Sequence, residues 1–325
     1  MARQAAVSVR GLVKRYGEVE AVRGIDLEVA AGEMFGFLGP NGAGKTTAIK
    51  ILCTIAEATS GSATVAGHDV NTERSAVRRR IGLVFQEPTL DGYLTAEQNL
   101  RFHGELYGMP RRLLRERIDE VLEMVGLTDR RRDQVIKFSG GMKRRLEIGR
   151  GLLHSPQVLF LDEPTIGLDP QTRASIWEYI ASLRERQDIT IFVTTHYMDE
   201  AENCDRIAIM NEGRIVVTDT PDALKSSVGA DRVQIRTEDD AAAIRQLRDR
   251  LGVEAAMHDG MVTFSVAGGA EFVPKLFATL PLRIDTVTVT RPSLDDVFMS
   301  YTGRTISDAQ ADGSSAFLRA MAGRR

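Results

Sequence analysis

The stretch Gly39-Pro-Asn-Gly-Ala-Gly-Lys-Thr-Thr47 fits the pattern G-x-x-x-x-G-K-[ST] through Thr46. It follows "EMFGFLG", a short apolar run that reads as a buried strand. It precedes "TTAIKILCTI", whose apolar residues recur at helical spacing. In a strand–glycine loop–helix unit, backbone N–H groups wrap phosphate oxygens and a helix N-terminus faces the anion. A chance lysine after a glycine turn would lack those flanks. Gly39, Pro40, Asn41, Gly42, Ala43, Gly44, Lys45, Thr46 and Thr47 are thus candidates for binding a nucleotide. Lys45 would reach the β- and γ-phosphates, and the Thr46 hydroxyl would bind Mg²⁺.

Outward from this loop, "IGLVFQ", "QVLFLDEP" and "TIFVTTH" are further short apolar runs that end in polar residues. Strand signals alternate with helix signals over about the first 220 residues, which predicts an α/β domain with a mostly parallel sheet. Ligands of such sheets sit at the carboxyl ends of the strands. In "VLFLDEP", Val158 to Leu161 form the strand and deliver Asp162 and Glu163 to its end. Asp162 suits Mg²⁺, held through water, and Glu163 suits a general base polarising an attacking water. A lone carboxylate at a strand end is commonly just solvated; an Asp-Glu-Pro in a chain with a phosphate loop is more pointed.

A second stretch, "KFSGGMKRRLEIGR" from Lys137 to Arg150, also gathers backbone N–H groups before a helix expected to begin near Met142. By itself it is only a weak anion site, with a Gly-Gly turn capping a helix as the plain alternative. From Leu94 to Arg132 the character is helical. Thr95 with Gln98 suggests a capping box. Leu114, Ile118, Val121, Leu122 and Val125 share a helical face that stops at Gly126.

The 325 residues suggest two domains, with 43% hydrophobic and 27% charged residues. A net charge of -3 gives no global basic field for nucleic acid. The Arg78–Arg80 and Arg130–Arg132 runs read as a solvated face before they read as a lipid or nucleic-acid patch. Cys53 and Cys204 make no disulfide framework and fit a reducing compartment. No signal-peptide core and no spanning apolar run is visible, so the chain is expected not to cross a membrane by itself. After Pro221, the order β-α-β-β-α-β predicts a small ferredoxin-like α+β unit with a hairpin around Asp259-Gly260. "SLDDVFMSYTG" reads as a closing helix. Residues 304–325, with "AFLRAMAGRR", read as a flexible tail or a short amphipathic helix.

The phosphate loop, Ser139-Gly140-Gly141 and "LDEP", in that order, resemble the ATP-binding cassette (ABC) family, the nucleotide-binding subunits of ABC transporters. The resemblance covers about residues 6–220. It implies a P-loop NTPase fold with a helical subdomain at about 90–150. The β-α-β-β-α-β unit at 221–303, of a kind that often binds small ligands or dimerises, is expected to be a regulatory or dimerisation domain. The resemblance further implies ATP and Mg²⁺ as cofactors and a head-to-tail homodimer, in which Ser139, Gly140 and Gly141 face the nucleotide held by the partner copy. Tyr16 matches the aromatic that stacks on adenine, and Gln86 the glutamine that senses Mg²⁺ and the attacking water. Asp169 in "GLDP" matches the residue that crosses the dimer interface, and His196 the switch histidine at the γ-phosphate. Thr46, Gln86 and Asp162 are then the metal positions, and Glu163, His196, Gln86 and Lys45 the catalytic ones. Phe138 and Met142 stand where the family has leucine and glutamine.

"FSGGMKRRLEIGRGLL" and "LDDVFMSYTGR" are similar, more narrowly, to the daunorubicin-resistance type of bacterial drug exporter. This implies a motor on the cytoplasmic face of a bacterial membrane, coupled to a separate integral-membrane permease that exports a drug-like or lipophilic compound. The alternative is a cassette ATPase acting on nucleic acid or ribosomes. Such relatives usually carry two cassettes or a long coiled coil, and only one cassette is visible here.

Overall fold

Residues 5–220 form, in chain order, β1 (Ala5–Tyr16), β2 (Val19–Ala30), β3 (Met34–Leu38), α1 (Lys45–Leu52), β4 (Ser60–Val65), β5 (His68–Asp69), α2 (Arg74–Arg80), β6 (Ile81–Val84), α3 (Ala96–Leu106), α4 (Arg111–Met124), α5 (Gly140–Leu152), β7 (Val158–Asp162), α6 (Pro170–Gln187), β8 (Thr190–Thr195), α7 (Met198–Ala201), β9 (Arg206–Asn211) and β10 (Arg214–Asp219). This computed structural model describes residues 5–187, 189–258 and 260–303. The central sheet has the order β10-β9-β3-β8-β7-β6. It is parallel from β9 to β6, with β10 added antiparallel to β9. β3, β7 and β8 are buried along their whole length, which explains their unbroken apolar sequences. Register places Leu38 beside Thr195 and Asp162 beside Thr194. The carboxyl ends of three central strands therefore meet at one point.

A second sheet was not apparent from the sequence. β2, β1, β4 and β5 make an antiparallel layer in that order. Val7, Val9, Leu12, Val22, Ile25 and Val29 turn inward and join Phe35, Phe37, Ile49, Phe160 and Phe192 in one core. The β1–β2 pairing is interrupted by several register shifts. Each shift breaks the period-two alternation that would otherwise announce a half-buried strand.

The helical insertion has a core of its own, with Leu100, Leu114, Ile118, Val121, Leu122 and Leu146 contributed by α3, α4 and α5. Each such buried side chain contributes roughly 1.5–3 kcal/mol relative to exposure. The capping box forms: the Thr95 hydroxyl accepts from Gln98 N at 3.2 Å and Gln98 Oε1 accepts from Thr95 N at 2.8 Å. α4 gives way to Gly126 at φ 66°, a conformation glycine adopts without strain. α5 begins at Gly140, two residues before the expected start. Ser139 is its N-cap and accepts from Met142 N at 3.3 Å, which draws both glycines into the first turn.

Residues 221–303 form a second unit. It comprises α8 (Pro221–Val228), β11 (Asp231–Thr237), α9 (Asp240–Leu251), β12 (Ala255–His258), β13 (Met261–Val266), α10 (Gly269–Thr279), β14 (Ile284–Thr290) and α11 (Leu294–Thr302). The strands are antiparallel in the order β12-β13-β11-β14. This is the sheet of a ferredoxin-like split β-α-β unit. Val233, Ile235, Val262, Phe264, Leu247 and Leu276 form its core. In the expected hairpin turn, Gly260 sits at φ 73°, while Asp259 lies outside the described residues. The expected tail at 304–325, with "AFLRAMAGRR", also lies outside them. Among the described residues, no helix is long and apolar enough to cross a membrane.

Candidate active site

The phosphate loop leaves β3 and turns into α1 within six residues. Gly44 makes this possible. Its φ is 105°, and a Cβ there would lie 2.4 Å from the Ala21 carbonyl oxygen. Lys45 is buried, and its Nζ donates to Gly39 O at 2.6 Å and Pro40 O at 3.0 Å. The ammonium thus sits inside the curl of the loop. Asn41, Gly42, Ala43, Gly44, Lys45, Thr46 and Thr47 line one open cleft, together with Ala21, Gln86 and Glu163.

Glu163, the residue after the end of β7, lines this cleft, and β8 pairs alongside β7 just behind it. Asp162 is 2% exposed. Its Oδ1 accepts from Thr194 Oγ1 at 2.6 Å and from Thr46 Oγ1 at 3.2 Å. Glu163 takes a left-handed φ of 45°, unusual for a residue with a side chain. Its N–H is held by Thr194 O at 3.1 Å and Thr194 Oγ1 at 3.0 Å, which stabilises that turn. The Glu163 carboxylate lies between the Lys45 ammonium, with Nζ at 3.5 Å, and the His196 ring, with Nδ1 at 3.3 Å. Neither Glu163 Oε2 nor His196 Nδ1 makes an aligned hydrogen bond at that separation. The His196 ring packs on Tyr197 with centroids 4.1 Å apart.

Burial pulls the Lys45 ammonium below its ordinary pKa, against the attraction of Glu163 and Asp162. Burial alone would push the Glu163 carboxyl up. The His196 contact and the Lys45 charge outweigh it and hold Glu163 below the usual carboxylate range. Glu163 is therefore ionised at neutral pH, as a general base must be.

The other expected site residues lie elsewhere on this chain. Tyr16 ends β1, is 50% exposed, and carries Lys14 Nζ 4.8 Å from its ring centroid. Ser139 and Gly140 are exposed at the start of α5, and Gly141 is half-buried. None of the three lines the phosphate cleft. Asp169 is exposed and turned onto its own helix, accepting from Thr172 Oγ1 at 2.6 Å and Thr172 N at 3.0 Å. Those bonds hold its carboxyl below the ordinary range.

Comparison with known proteins settles the class of this cleft. Residues 22–166 match the family model described as ABC transporter, and residues 220–302 match the ATP-binding protein DrrA1-3-like C-terminal domain. The chain is 40% identical to the daunorubicin resistance ATP-binding protein DrrA2 of Streptomyces coeruleorubidus, over 94% of this chain and 98% of that one. It belongs to the ABC transporter ATP-binding proteins, in the group with a DrrA-like C-terminal domain. The linearmycin resistance ATP-binding protein LnrL of Bacillus subtilis (strain 168) is 38% identical over 93% of this chain and all of that one. Among solved structures, cbiO1 of Clostridium perfringens, part of the cbiONQ transporter complex, superposes with TM-score 0.65 at 28% identity. It covers 77% of this chain and 97% of that one. The dimeric post-hydrolysis state of the cassette MJ0796, bound to ADP and Pi, superposes with TM-score 0.59 at 28% identity, covering 66% and 98%. This ABC subunit therefore binds and hydrolyses ATP as the motor of a transporter, and ABC cassettes act as dimers with membrane permeases.

The structure adds residues to this ABC site that sequence reading passed over. Thr194, in "VTTH", holds the Asp162 carboxylate and the backbone N–H of Glu163, and only the strand register reveals it. Glu200 is 2% exposed and accepts from the hydroxyls of Thr165 and Thr195. Arg173 lies 3.8 Å from that carboxylate and stacks its guanidinium 3.9 Å from the centre of the Tyr197 ring. Arg144, on α5, is buried against the turn that carries Glu163. A Glu four residues after a candidate histidine, and an Arg inside a basic run, both look like ordinary helix-surface residues until burial is known.

Proposed function

We propose that Glu163 is the general base of ATP hydrolysis in this subunit. The observation that carries this is its ionised carboxylate, fixed at the floor of the phosphate cleft between Lys45 and His196. Lys45 would leave the Gly39 and Pro40 carbonyls for the β- and γ-phosphate oxygens. Loop N–H groups would hold the remaining oxygens. Glu163 accepts a proton from the attacking water, and His196 steadies the γ-phosphate.

A divalent cation fits the oxygen donors of Thr46, Asp162 and Gln86. Thr46 Oγ1 and Asp162 Oδ1 already lie 3.2 Å apart beside the loop, and hard oxygen ligands suit Mg²⁺. Bound there, the cation would offset charge on the terminal phosphates. Tyr16 would stack on adenine.

The Ser139-Gly140-Gly141 turn, with Ser139 and Gly140 exposed, and Asp169 do not line their own chain's cleft, which supports a head-to-tail homodimer where they complete the partner's site. The motor would act on the cytoplasmic face of a bacterial membrane through a permease. Relatives named for resistance to daunorubicin and linearmycin support export of a drug-like or lipophilic compound. They do not support the nucleic-acid reading. We further propose that residues 6–220 are the motor and 221–303 a regulatory or dimerisation domain.

The test is steady-state hydrolysis and size-exclusion chromatography of Glu163→Gln in saturating Mg·ATP. A general base contributes about 10²–10⁴-fold, so hydrolysis should fall by that factor while ATP is retained and a dimer accumulates. Hydrolysis at the wild-type rate would overturn the assignment of the base. A strictly monomeric ATP-loaded variant would overturn the head-to-tail reading.

A further inference from the structure

α5 carries the Ser139 turn at its start, and one turn further on it grips two other parts of the site at once. Arg144 is buried in the protein interior. Its Nε donates to Pro164 O at 2.5 Å, and its Nη2 donates to Asp162 O and Glu163 O, both at 3.3 Å. Three successive carbonyls of the turn that holds Glu163 are thus tied to one guanidinium. Nη1 of the same group donates to Phe85 O at 2.6 Å, the carbonyl just before Gln86, and to Glu147 Oε2 at 3.1 Å. Glu147 is also buried, and its second oxygen accepts from Thr89 N at 2.7 Å. The segment containing Gln86 is therefore fastened on both sides, at Phe85 and at Thr89, to the helix that fastens the Glu163 turn.

Gln86 itself is exposed and reaches the phosphate cleft from β6, whereas Glu163 reaches it from β7. Backbone pairing of the two strands ends at Val84 and Leu161, before either side chain. Beyond that point the ladder no longer fixes their separation, and the Arg144 guanidinium spans the gap. Only arginine has the planar fork of five donors for this; a lysine ammonium in its place could not span the same set of carbonyls.

We infer that Arg144, held by Glu147, is a positioning residue that sets the Gln86 segment against the Glu163 turn, so that water and γ-phosphate meet in register. This rests on the reading of Glu163 and Gln86 given above. A purely structural ion pair predicts something different. Replacing a buried pair by apolar residues of similar size is often neutral or stabilising, and it would leave hydrolysis alone.

The experiment uses the full chain and three variants: Arg144→Lys, Arg144→Met with Glu147→Leu, and Glu163→Gln as control. Each is measured for thermal midpoint, ADP affinity by calorimetry, and kcat and KM for ATP. The double variant should keep its fold and bind ADP within about threefold of wild type. Its kcat should drop about 10- to 100-fold, the range expected when catalytic groups are misplaced by an ångström or less, with KM little changed. Arg144→Lys should not rescue kcat. A folded double variant with wild-type kcat overturns the inference. So does failure of both Arg144 variants to fold, which would make the pair a folding element. If Glu163→Gln itself hydrolyses normally, the reading of the base fails instead, and the two failures are told apart.

Discussion

Thr194 Oγ1 donates to Asp162 Oδ1 at 2.6 Å, and the same oxygen accepts from the backbone N–H of Glu163 at 3.0 Å. One hydroxyl near the end of β8 therefore ties the Asp162 carboxylate to the backbone turn that carries Glu163. Thr194→Val keeps the shape and removes the hydroxyl. Asp162 Oδ1 then loses its closest donor in a buried setting, at a cost of about 1–3 kcal/mol. Denaturant unfolding should show that loss. A Mg²⁺ titration of ATPase activity should shift to higher concentration, and Thr194→Ser should restore both. An unchanged Mg²⁺ dependence in Thr194→Val would separate the hydroxyl from the metal position.

Glu200 joins three segments that sequence order keeps apart: Thr165 after β7, Thr195 at the end of β8, and Arg173 on α6. Arg173 in turn packs on Tyr197, which packs on His196. Glu200→Ala would leave two hydroxyls without their acceptor and the Arg173 guanidinium without its counter-charge. Leaving buried donors without their acceptor costs about 1–3 kcal/mol, and a loss of that order is expected in equilibrium unfolding. Glu200→Gln keeps the shape and one acceptor oxygen, so it should lose less stability. Its kcat should still fall, because Arg173 and the Tyr197–His196 stack lose their charge anchor. A Glu200→Ala protein of wild-type stability would show that this buried carboxylate holds nothing.

The parts of the fold and of the site were legible to different degrees, and for physical reasons. The parallel strands were readable because burial on both faces leaves unbroken apolar runs, as in Val158–Leu161. The phosphate loop was readable because glycine is required where Gly44 passes Ala21 O. The antiparallel sheet was obscured by the register shifts in β1. Thr194, Glu200 and Arg144 were obscured because their roles depend on long-range packing. Arg144 sits in "MKRRLE", where composition alone says solvent, yet the fold turns it inward onto backbone carbonyls.

Acid should weaken this protein through a histidine pair in the helical region. His103 stacks on Tyr107, which stacks on His154 at 4.0 Å. Burial pulls His103 down to about 3, with the Arg150 charge and His154 adding to the effect. Burial lowers His154 as well. In the unfolded chain a histidine takes its proton near pH 6.5. Between that pH and about 3 the unfolded state binds more protons, so stability falls as pH drops through this window. The slope is up to about 1.4 kcal/mol per pH unit for each histidine kept neutral. In His103→Phe, the fall in unfolding midpoint between neutral and mildly acid buffer should be shallower than in wild type. Identical pH slopes would rule out His103 as the source.

Lys45 offers a test of the loop that needs no turnover. In the absence of nucleotide its ammonium neutralises Glu163 at 3.5 Å and satisfies the Gly39 and Pro40 carbonyls. Lys45→Met removes the charge while keeping an apolar stem. The nucleotide-free variant should be less stable than wild type, because Glu163 is then buried beside a single partner, His196. ATP binding to the folded state alone adds stability as RT ln(1 + [L]/Kd), about 2.7 kcal/mol at a hundredfold excess over Kd. Wild type should show that gain in a thermal-shift titration with ATP. Lys45→Met should show little of it at the same concentration, since the phosphates lose their cation. A full ATP-induced shift in the variant would mean that the loop N–H groups alone hold the nucleotide, and that Lys45 acts on the empty loop rather than on phosphate.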